Sequence, residues 1–223
     1  MTERDTPATC RRCGICCSKG GPALHDEDAP LVGGVLPMER LMTLRVGEMV
    51  LDQPLGKVVP LVEEIIKIRS VPGATACALF DEKSKACEIY EHRPAECREL
   101  LCENDERLKA MYDKDRLCRR DLLPDDHPLM EIVEDHDRRC SPRKLTSLAR
   151  RVTEGDQAAL DEIGRILAYD AELRRMVPEK TGLSPDAMEF LLGRPLDLVL
   201  AGIGLEVRHE EGRTVLRKRP VRF

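Results

Sequence analysis

The distribution of cysteine constrains this chain more than any other feature of its sequence. Ten cysteines occur among 223 residues, and none follows Cys140. Four form a short motif near the N-terminus, four form a second group, and two stand alone: Cys10, Cys13, Cys16 and Cys17; Cys77, Cys87, Cys97 and Cys102; Cys118 and Cys140. A reducing cytosol keeps thiols free, so such a count in an intracellular protein more often indicates metal binding than disulfides.

The first motif, Cys10-Arg-Arg-Cys13-Gly-Ile-Cys16-Cys17, has the spacing of a metal site. Two intervening residues let a tight turn bring two sulfurs to one ion, and Gly14 relaxes the backbone that wraps it. The repeated step of three also resembles the cysteine runs of cluster-binding ferredoxins. Neighbouring side chains in extended backbone point to opposite sides, so we expect Cys16 and Cys17 to serve different atoms or different metals.

Basic residues accompany both cysteine groups. Arg11, Arg12 and Lys19 lie beside the first motif, and Arg93 and Arg98 lie beside Cys97 in the second group. Their positive charge favours thiolates and offsets the negative charge of a sulfide cluster. For the second pair of arginines, ordinary surface ion pairs with neighbouring glutamates are an equal alternative.

The second group predicts a helix that carries one of its thiols. Pro94 suits the first position of a helix, and it places Cys97 in the first turn, where N–H groups and the helix dipole stabilise a thiolate. Cys102 follows five residues later, about 140° further around a straight helix. Both thiols therefore reach one metal only if the helix ends or bends between them.

Together the two groups resemble a known family. The second group runs Cys77-Ala-Leu-Phe80, then Cys87-Glu-Ile-Tyr90, then Arg93-Pro94 and Cys97-Arg98. With the first motif, this order resembles the YkgJ-like family of cysteine-cluster domains, which is named for chelating zinc or iron. The resemblance extends from about Cys10 to Cys140 and implies metal chelation through seven cysteines: Cys10, Cys13, Cys16, Cys17, Cys77, Cys87 and Cys97. The cysteine pattern is also similar to that of the flagellin lysine methylases, but we identify no S-adenosylmethionine motif.

The remaining candidates lie on predicted helices. His136 and Cys140 are four residues apart on one face of a helix that begins at Pro128, a spacing that suits two metal ligands. The alternative, a satisfied core histidine and a small buried thiol, is more common for lone residues. Cys118 lies on a stripe of Leu and Met and is expected to be core. The ligand set predicted from the sequence is therefore Cys10, Cys13, Cys16, Cys17, Cys77, Cys87, Cys97, Cys102 and Cys140.

We predict a mainly α fold with short β elements, of the α+β class. Residues 1–142 are interpreted as a metal-binding domain, and residues 143–223 as a helical region with a small terminal hairpin that contributes no ligand. Apolar spacing predicts helices over about residues 104–122, from Pro128, and over about residues 156–177 with Pro178 as the stop. A strand that passes into a helical turn is expected within residues 58–68.

Composition excludes several classes of protein. A net charge of −5 and an aromatic content of 3% disfavour nucleic acid as a partner. No apolar run approaches the ~20 residues of a membrane-spanning helix. The first residues lack the apolar core of a secretory signal, so we expect a cytoplasmic protein with no membrane partner.

Sulfur ligands exclude calcium and magnesium, but they leave zinc and iron–sulfur open. We predict a metal-binding protein that chelates an iron–sulfur cluster or zinc through the two cysteine groups and has a redox or cluster-dependent role. The alternatives are a structural zinc module or metal carrier without catalysis, and a thiol sensor. No catalytic motif names a reaction, so enzyme activity stays open.

Overall fold

Short antiparallel strand pairs and helices of very different lengths build the fold. The computed structural model describes residues 10–102, 104–210 and 213–218. The predicted α+β class is confirmed, because about 47% of the chain is helical and the remaining regular structure is short strand pairs with a C-terminal hairpin. Within the described ranges, no helix combines the length and the apolar character needed to cross a membrane.

The first six strands lie in the N-terminal half, and the last two form the C-terminal hairpin. They are β1 (Leu41–Leu44), β2 (Met49–Asp52), β3 (Lys57–Pro60), β4 (Ile65–Ile68), β5 (Phe80–Asp81), β6 (Ala86–Cys87), β7 (Leu205–Glu210) and β8 (Arg213–Lys218). β1 pairs with β4, β2 with β3, β5 with β6 and β7 with β8, all antiparallel. The helical turn expected within residues 58–68 is wrong, because β-branched Val and Ile keep that stretch extended in β3 and β4.

Eight α-helices occur in the described residues. They are α1 (Ala95–Glu99), α2 (Glu106–Met111), α3 (Arg119–Leu122), α4 (Pro128–Arg139), α5 (Pro142–Thr153), α6 (Gln157–Thr181), α7 (Met188–Leu192) and α8 (Leu196–Gly202). Short 3-10 helices lie at Cys17–Lys19, Asp26–Leu31, Met38–Arg40, Tyr90–His92 and Pro185–Ala187.

Two predicted helix boundaries are wrong. The helix expected over residues 104–122 is divided into α2 and α3, and between them Asp115 has a left-handed φ of 49° that no helix accommodates. α6 continues past Pro178 to Thr181 and ends at Gly182, whose φ of 73° gives a left-handed cap. A proline this close to the end of a helix removes one backbone hydrogen bond, while its carbonyl still accepts from Gly182 at 2.9 Å.

One buried apolar cluster connects the two parts that the sequence analysis separated at residue 142. It contains Cys77 and Phe80 of the second cysteine group together with Val177 and Phe190 of the C-terminal region. α7 accordingly packs against β1 and α4. A second cluster joins Cys140 to α5, α6 and α8. The division into residues 1–142 and 143–223 stays a prediction, and the main core includes residues from both sides of it.

A network of buried polar and charged side chains connects the turn after β1 to helices α4 and α6. Arg45 is only 2% exposed, and its Nη1 donates to Nδ1 of His136 at 3.2 Å. We assign the hydrogen on Nε2 of His136, which donates to Oδ1 of Asp170 at 2.7 Å. Arg174 donates to the same carboxylate at 3.0 Å. Burial lowers the pKa of His136, so its ring is neutral and links two charged groups without adding a third.

This network generates a stability prediction. Asp170→Ala leaves Nε2 of the buried His136 without its acceptor and removes the carboxylate partner of Arg174, so we expect the free energy of unfolding to fall by about 3–5 kcal/mol. Urea denaturation measures it. The matched control is Glu172→Ala on the same helix, because Glu172 pairs with Arg175 at the exposed surface and should change stability little. Equal, small effects of the two substitutions would show that the network does not hold the helices in place.

Candidate metal centre

The first cysteine motif is a loop that leads into a short 3-10 helix. Arg12 and Gly14 have left-handed φ angles of 54° and 78°, and the N–H of Ser18 donates to the carbonyl of Gly14 at 2.9 Å. A side chain at Gly14 would place its Cβ 2.3 Å from Cζ of Phe80. Two features therefore favour glycine at position 14: the left-handed backbone conformation and the close approach of the Phe80 ring.

The same loop is fixed to the second cysteine group by backbone contacts. The N–H of Cys77 donates to the carbonyl of Cys17 at 2.8 Å, and Oγ1 of Thr75 donates to the carbonyl of Ser18 at 2.8 Å. Beyond Cys77, the β5–β6 pairing sets Phe80 opposite Cys87. The two cysteine groups therefore meet in space although some sixty residues separate Cys17 from Cys77.

Four thiols form the centre of this meeting point, and we call them the inner tetrad: Cys17, Cys77, Cys87 and Cys97. Burial is the largest cause that raises the pKa of each thiol, and the negative charge of neighbouring thiolates adds to it. These charge interactions connect every pair within the tetrad. They raise the pKa of Cys17 to about 12 and that of Cys97 well above its usual value. Without a metal, the tetrad therefore keeps its protons at neutral pH.

Two further thiols border the inner tetrad. Sγ of Cys16 lies 3.9 Å from Sγ of Cys17, and its charge also acts on Cys77 and Cys97. Cys16 is exposed. Cys10 is half-buried and its charge acts on Cys87. The expectation that Cys16 and Cys17 serve different atoms stays a prediction, but the structure already gives the neighbours different surroundings, one open to solvent and one half-buried.

The remaining four cysteines, Cys13, Cys102, Cys118 and Cys140, lie outside the inner tetrad and its two bordering thiols. Cys13 and Cys102 are exposed. α1 ends at Glu99, so the break required for Cys97 and Cys102 to share a metal exists, but Cys102 does not join the tetrad. The expectation that Cys118 belongs to the core is wrong, because Cys118 is half-buried. It lies at the N-cap of α3, where its side chain accepts from the N–H of Asp121.

Cys140 belongs to different surroundings. It is fully buried in the second apolar cluster, and the charges that act on it come from Asp170, Arg45 and other residues of the buried network rather than from thiols. His136, its predicted companion, is held within that network between Arg45 and Asp170. The role of Cys140 as a ligand stays a prediction.

The inner tetrad fits a metal by the chemistry of its donors. All four groups are free sulfurs, and soft thiolates select zinc, copper(I) and iron–sulfur clusters rather than hard cations. In residues 10–102, 104–210 and 213–218, no three His, Cys, Asp or Glu groups are arranged closely enough to hold a metal ion. The four thiols of the tetrad therefore belong to one region, but the structure does not arrange them closely enough to coordinate a metal ion.

Two arginines stack on one tyrosine beside the tetrad. The guanidinium carbons of Arg12 and Arg93 each lie 3.7 Å from the ring centroid of Tyr90. The charge of Arg93 opposes the increase in the pKa of Cys87 that burial causes. Nε and Nη1 of Arg93 are buried and have no hydrogen-bond partner among the residues that the structure describes. Sequence reasoning placed Arg93 near the site but missed these free donors, because no sequence pattern reports hydrogen-bond satisfaction.

Arg98 serves another purpose. Its guanidinium donates to Oε2 of Glu27 at 2.7 Å, so the ion-pair alternative describes it, although with a distant partner. Nearby, the buried Asp28 accepts from the N–H of Ala95 at 2.9 Å and from that of His25 at 3.0 Å. These contacts anchor the start of α1, and α1 carries Cys97.

The geometry predicts that Arg93 supports metal binding. Arg93→Gln removes a positive charge and two free N–H donors beside Cys87, so we expect the affinity for Zn²⁺ to fall about 10–100-fold. Competition with a chelator of known affinity measures this. Arg107→Gln is the matched control, because its guanidinium is exposed and pairs with Glu99. If the two variants bind Zn²⁺ equally well, Arg93 has no such role.

Comparison with known proteins agrees with this location. The family CxxCxxCC, described as a putative zinc- or iron-chelating domain, matches residues 9–119. No curated protein and no solved structure matches the chain. The matched residues contain nine of the ten cysteines, the whole inner tetrad among them, and they end before Cys140. Through these residues, the chain belongs to the CxxCxxCC family of zinc- or iron-chelating domains.

Proposed function

We propose that the inner tetrad binds one metal centre and that this centre is an iron–sulfur cluster. The observation that carries the proposal is the meeting of the two cysteine motifs, since the N–H of Cys77 donates to the carbonyl of Cys17 at 2.8 Å and the β5–β6 pairing that follows Cys77 carries Cys87. Burial and neighbouring negative charge both disfavour the ionised form of these thiols when they have no common partner. A bound metal would replace their protons and share the negative charge of the thiolates.

The surroundings of the tetrad favour a cluster. A cluster adds inorganic sulfides to the four cysteine sulfurs, so it offers more acceptors for hydrogen bonds than a single ion. Arg93 supplies two buried N–H donors that have no acceptor in the described structure. Hydrogen bonds and positive charge near the sulfurs tune the potential of such a cluster, which suits a redox or cluster-dependent role.

A structural zinc site is the second candidate. Four sulfurs complete the tetrahedral shell of zinc, and such closed sites contribute folding free energy. Cys77 belongs to the main apolar core, which favours a site of this kind because the metal would then stabilise the core directly. Under this alternative the chain is an interaction module or a metal carrier. Either function requires a compartment that keeps thiols reduced, so we place the protein in the cytoplasm.

The metal content of the purified protein distinguishes the candidates. If the cluster proposal is right, protein prepared without oxygen from iron-rich medium is brown, contains iron and acid-labile sulfide in equal amounts, and bleaches in air. Colourless, air-stable protein with stoichiometric zinc would replace the cluster with zinc. Metal-free protein that loses free thiols reversibly with mild oxidant would instead indicate a thiol sensor and contradict both candidates.

Single substitutions test the tetrad itself. Cys77→Ser removes one of the four sulfurs, so we expect most of the bound metal to be lost at equal chain folding. Cys118→Ser is the matched control, because that thiol lies outside the tetrad and serine is a good helix cap. Metal analysis beside circular dichroism gives the result. Full metal content in Cys77→Ser would rule out the tetrad as the binding site.

A further inference from the structure

We infer that the buried ring of His25 acts as a pH-sensitive latch, whose protonated form holds α1 against residues 23–28. The latch consists of the His25 ring, the carboxylate of Glu96 in α1 and the backbone carbonyl of Lys114. None of these residues belongs to the inner tetrad, and the latch operates without a metal. The inference therefore goes beyond the proposed function, and either can fail while the other holds.

α1 and residues 23–28 each supply a carboxylate to the backbone of the other. Oε2 of Glu96 accepts from the N–H of Ala23 at 2.8 Å, and Oδ1 of the buried Asp28 accepts from the N–H of Ala95 at 2.9 Å. His25 lies between Ala23 and Asp28 in the chain and is only 3% exposed. The groups that its ring meets are therefore protein groups and not bulk solvent.

The contacts of the two ring nitrogens determine where the protons lie. Nδ1 is 2.7 Å from the carbonyl oxygen of Lys114, and a carbonyl only accepts, so Nδ1 carries a hydrogen. Nε2 is 3.6 Å from Oε1 of Glu96, a gap too short for a bridging water, which needs about 4.5 Å. In a neutral ring, Nε2 would therefore present its lone pair to a carboxylate oxygen. A second proton turns this contact between two acceptors into a buried ion pair.

The charge around the ring favours the protonated form. Burial lowers the pKa of His25, but the interactions with Glu96 and with the carbonyl of Lys114 outweigh burial, and the charge of Asp28 adds to them. The pKa of His25 is therefore raised above its usual value of 6.5. Among the described residues, His25 is the basic group that lies within ion-pair distance of Glu96.

Other charged groups lie near the latch, but they do not replace the ring as the partner of Glu96. Four charged residues line the cavity beside the ring: Asp26, Glu27, Lys114 and Asp115. The guanidinium of Arg116 stacks on an aromatic ring, and that of Arg98 pairs with Glu27. Lys67 of β4 interacts with the charge of Glu96, yet Oε1 of Glu96 has no hydrogen-bond partner in the described part of the chain.

Acid closes the latch and alkali opens it. A group whose pKa is higher in the folded than in the unfolded state stabilises the fold fully below the unfolded pKa, here about 6.5. That contribution is lost as the pH rises through the folded pKa of the ring. Since α1 carries Cys97, a fall in pH holds this part of the second cysteine group more firmly in place.

Hydrogen exchange of α1 in the full chain tests the latch. His25→Asn keeps an amide donor at the position of Nδ1 and removes the protonatable Nε2. At pH 6 we expect the amides of residues 93–100 to exchange about tenfold faster in this variant than in the unsubstituted chain. The ratio of the two rates should fall between pH 6 and pH 9. Mass spectrometry measures it, and His92→Asn is the matched control, because His92 is exposed and its ratio should stay near one.

Ring titration by NMR keeps the test independent of how well the variant folds. The unsubstituted chain should show a histidine ring that titrates above pH 6.5 and is missing from His25→Asn. A His25 ring that titrates below pH 6.5 would overturn the inference. So would an exchange ratio that is the same at pH 6 and pH 9. Neither result concerns metal content, so metal retention by Cys77→Ser remains the separate test of the proposed function.

Discussion

The gathering of four thiols from two distant motifs is the constraint on which the rest of this structure depends. Cys17 enters from the first motif, and Cys77, Cys87 and Cys97 from the second. Burial and neighbouring charge raise the pKa of each, so the protein without metal must keep them protonated. Three contacts bring these thiols together. The N–H of Cys77 donates to the carbonyl of Cys17, Gly14 lies close to the ring of Phe80, and Asp28 anchors the start of α1 by accepting from the N–H of Ala95. A metal bound by the proposed site would take the place of the protons on these thiols.

The metal centre is coupled to the remainder of the chain through packing. Cys77 and Phe80 share one apolar cluster with Phe190 of α7, and α7 lies against β1. Arg45, which follows β1, belongs to the buried network because it donates a hydrogen bond to His136. The C-terminal helices are therefore part of the support of the site although they bring no cysteine to it after Cys140. Metal binding should consequently stabilise the whole chain and not the cysteine motifs alone.

The sequence indicated the kind of chemistry at the candidate site, and the structure adds which thiols lie together. Cysteine spacing alone indicated a metal, and Pro94 correctly predicted the start of α1, because both signals are local. Which thiols converge depends on the backbone bonds that join Cys17 to Cys77, and no local pattern encodes a contact between such distant residues. The break between α2 and α3 was missed for a related reason: the apolar stripe persists through Asp115, whose left-handed backbone is set by its surroundings. The free donors of Arg93 and the 3.9 Å pair of Cys16 and Cys17 also required coordinates.

The central claim is that one metal centre is bound by the inner tetrad. Anomalous diffraction from crystals of the metal-loaded chain, collected at the absorption edge of the bound metal, tests it most directly. The account predicts a single anomalous peak whose metal is bonded at about 2.3 Å to sulfurs of the inner tetrad, namely Cys17, Cys77, Cys87 and Cys97. A peak bonded instead to Cys10, Cys13 and Cys16, or one located at His136 and Cys140, would contradict it.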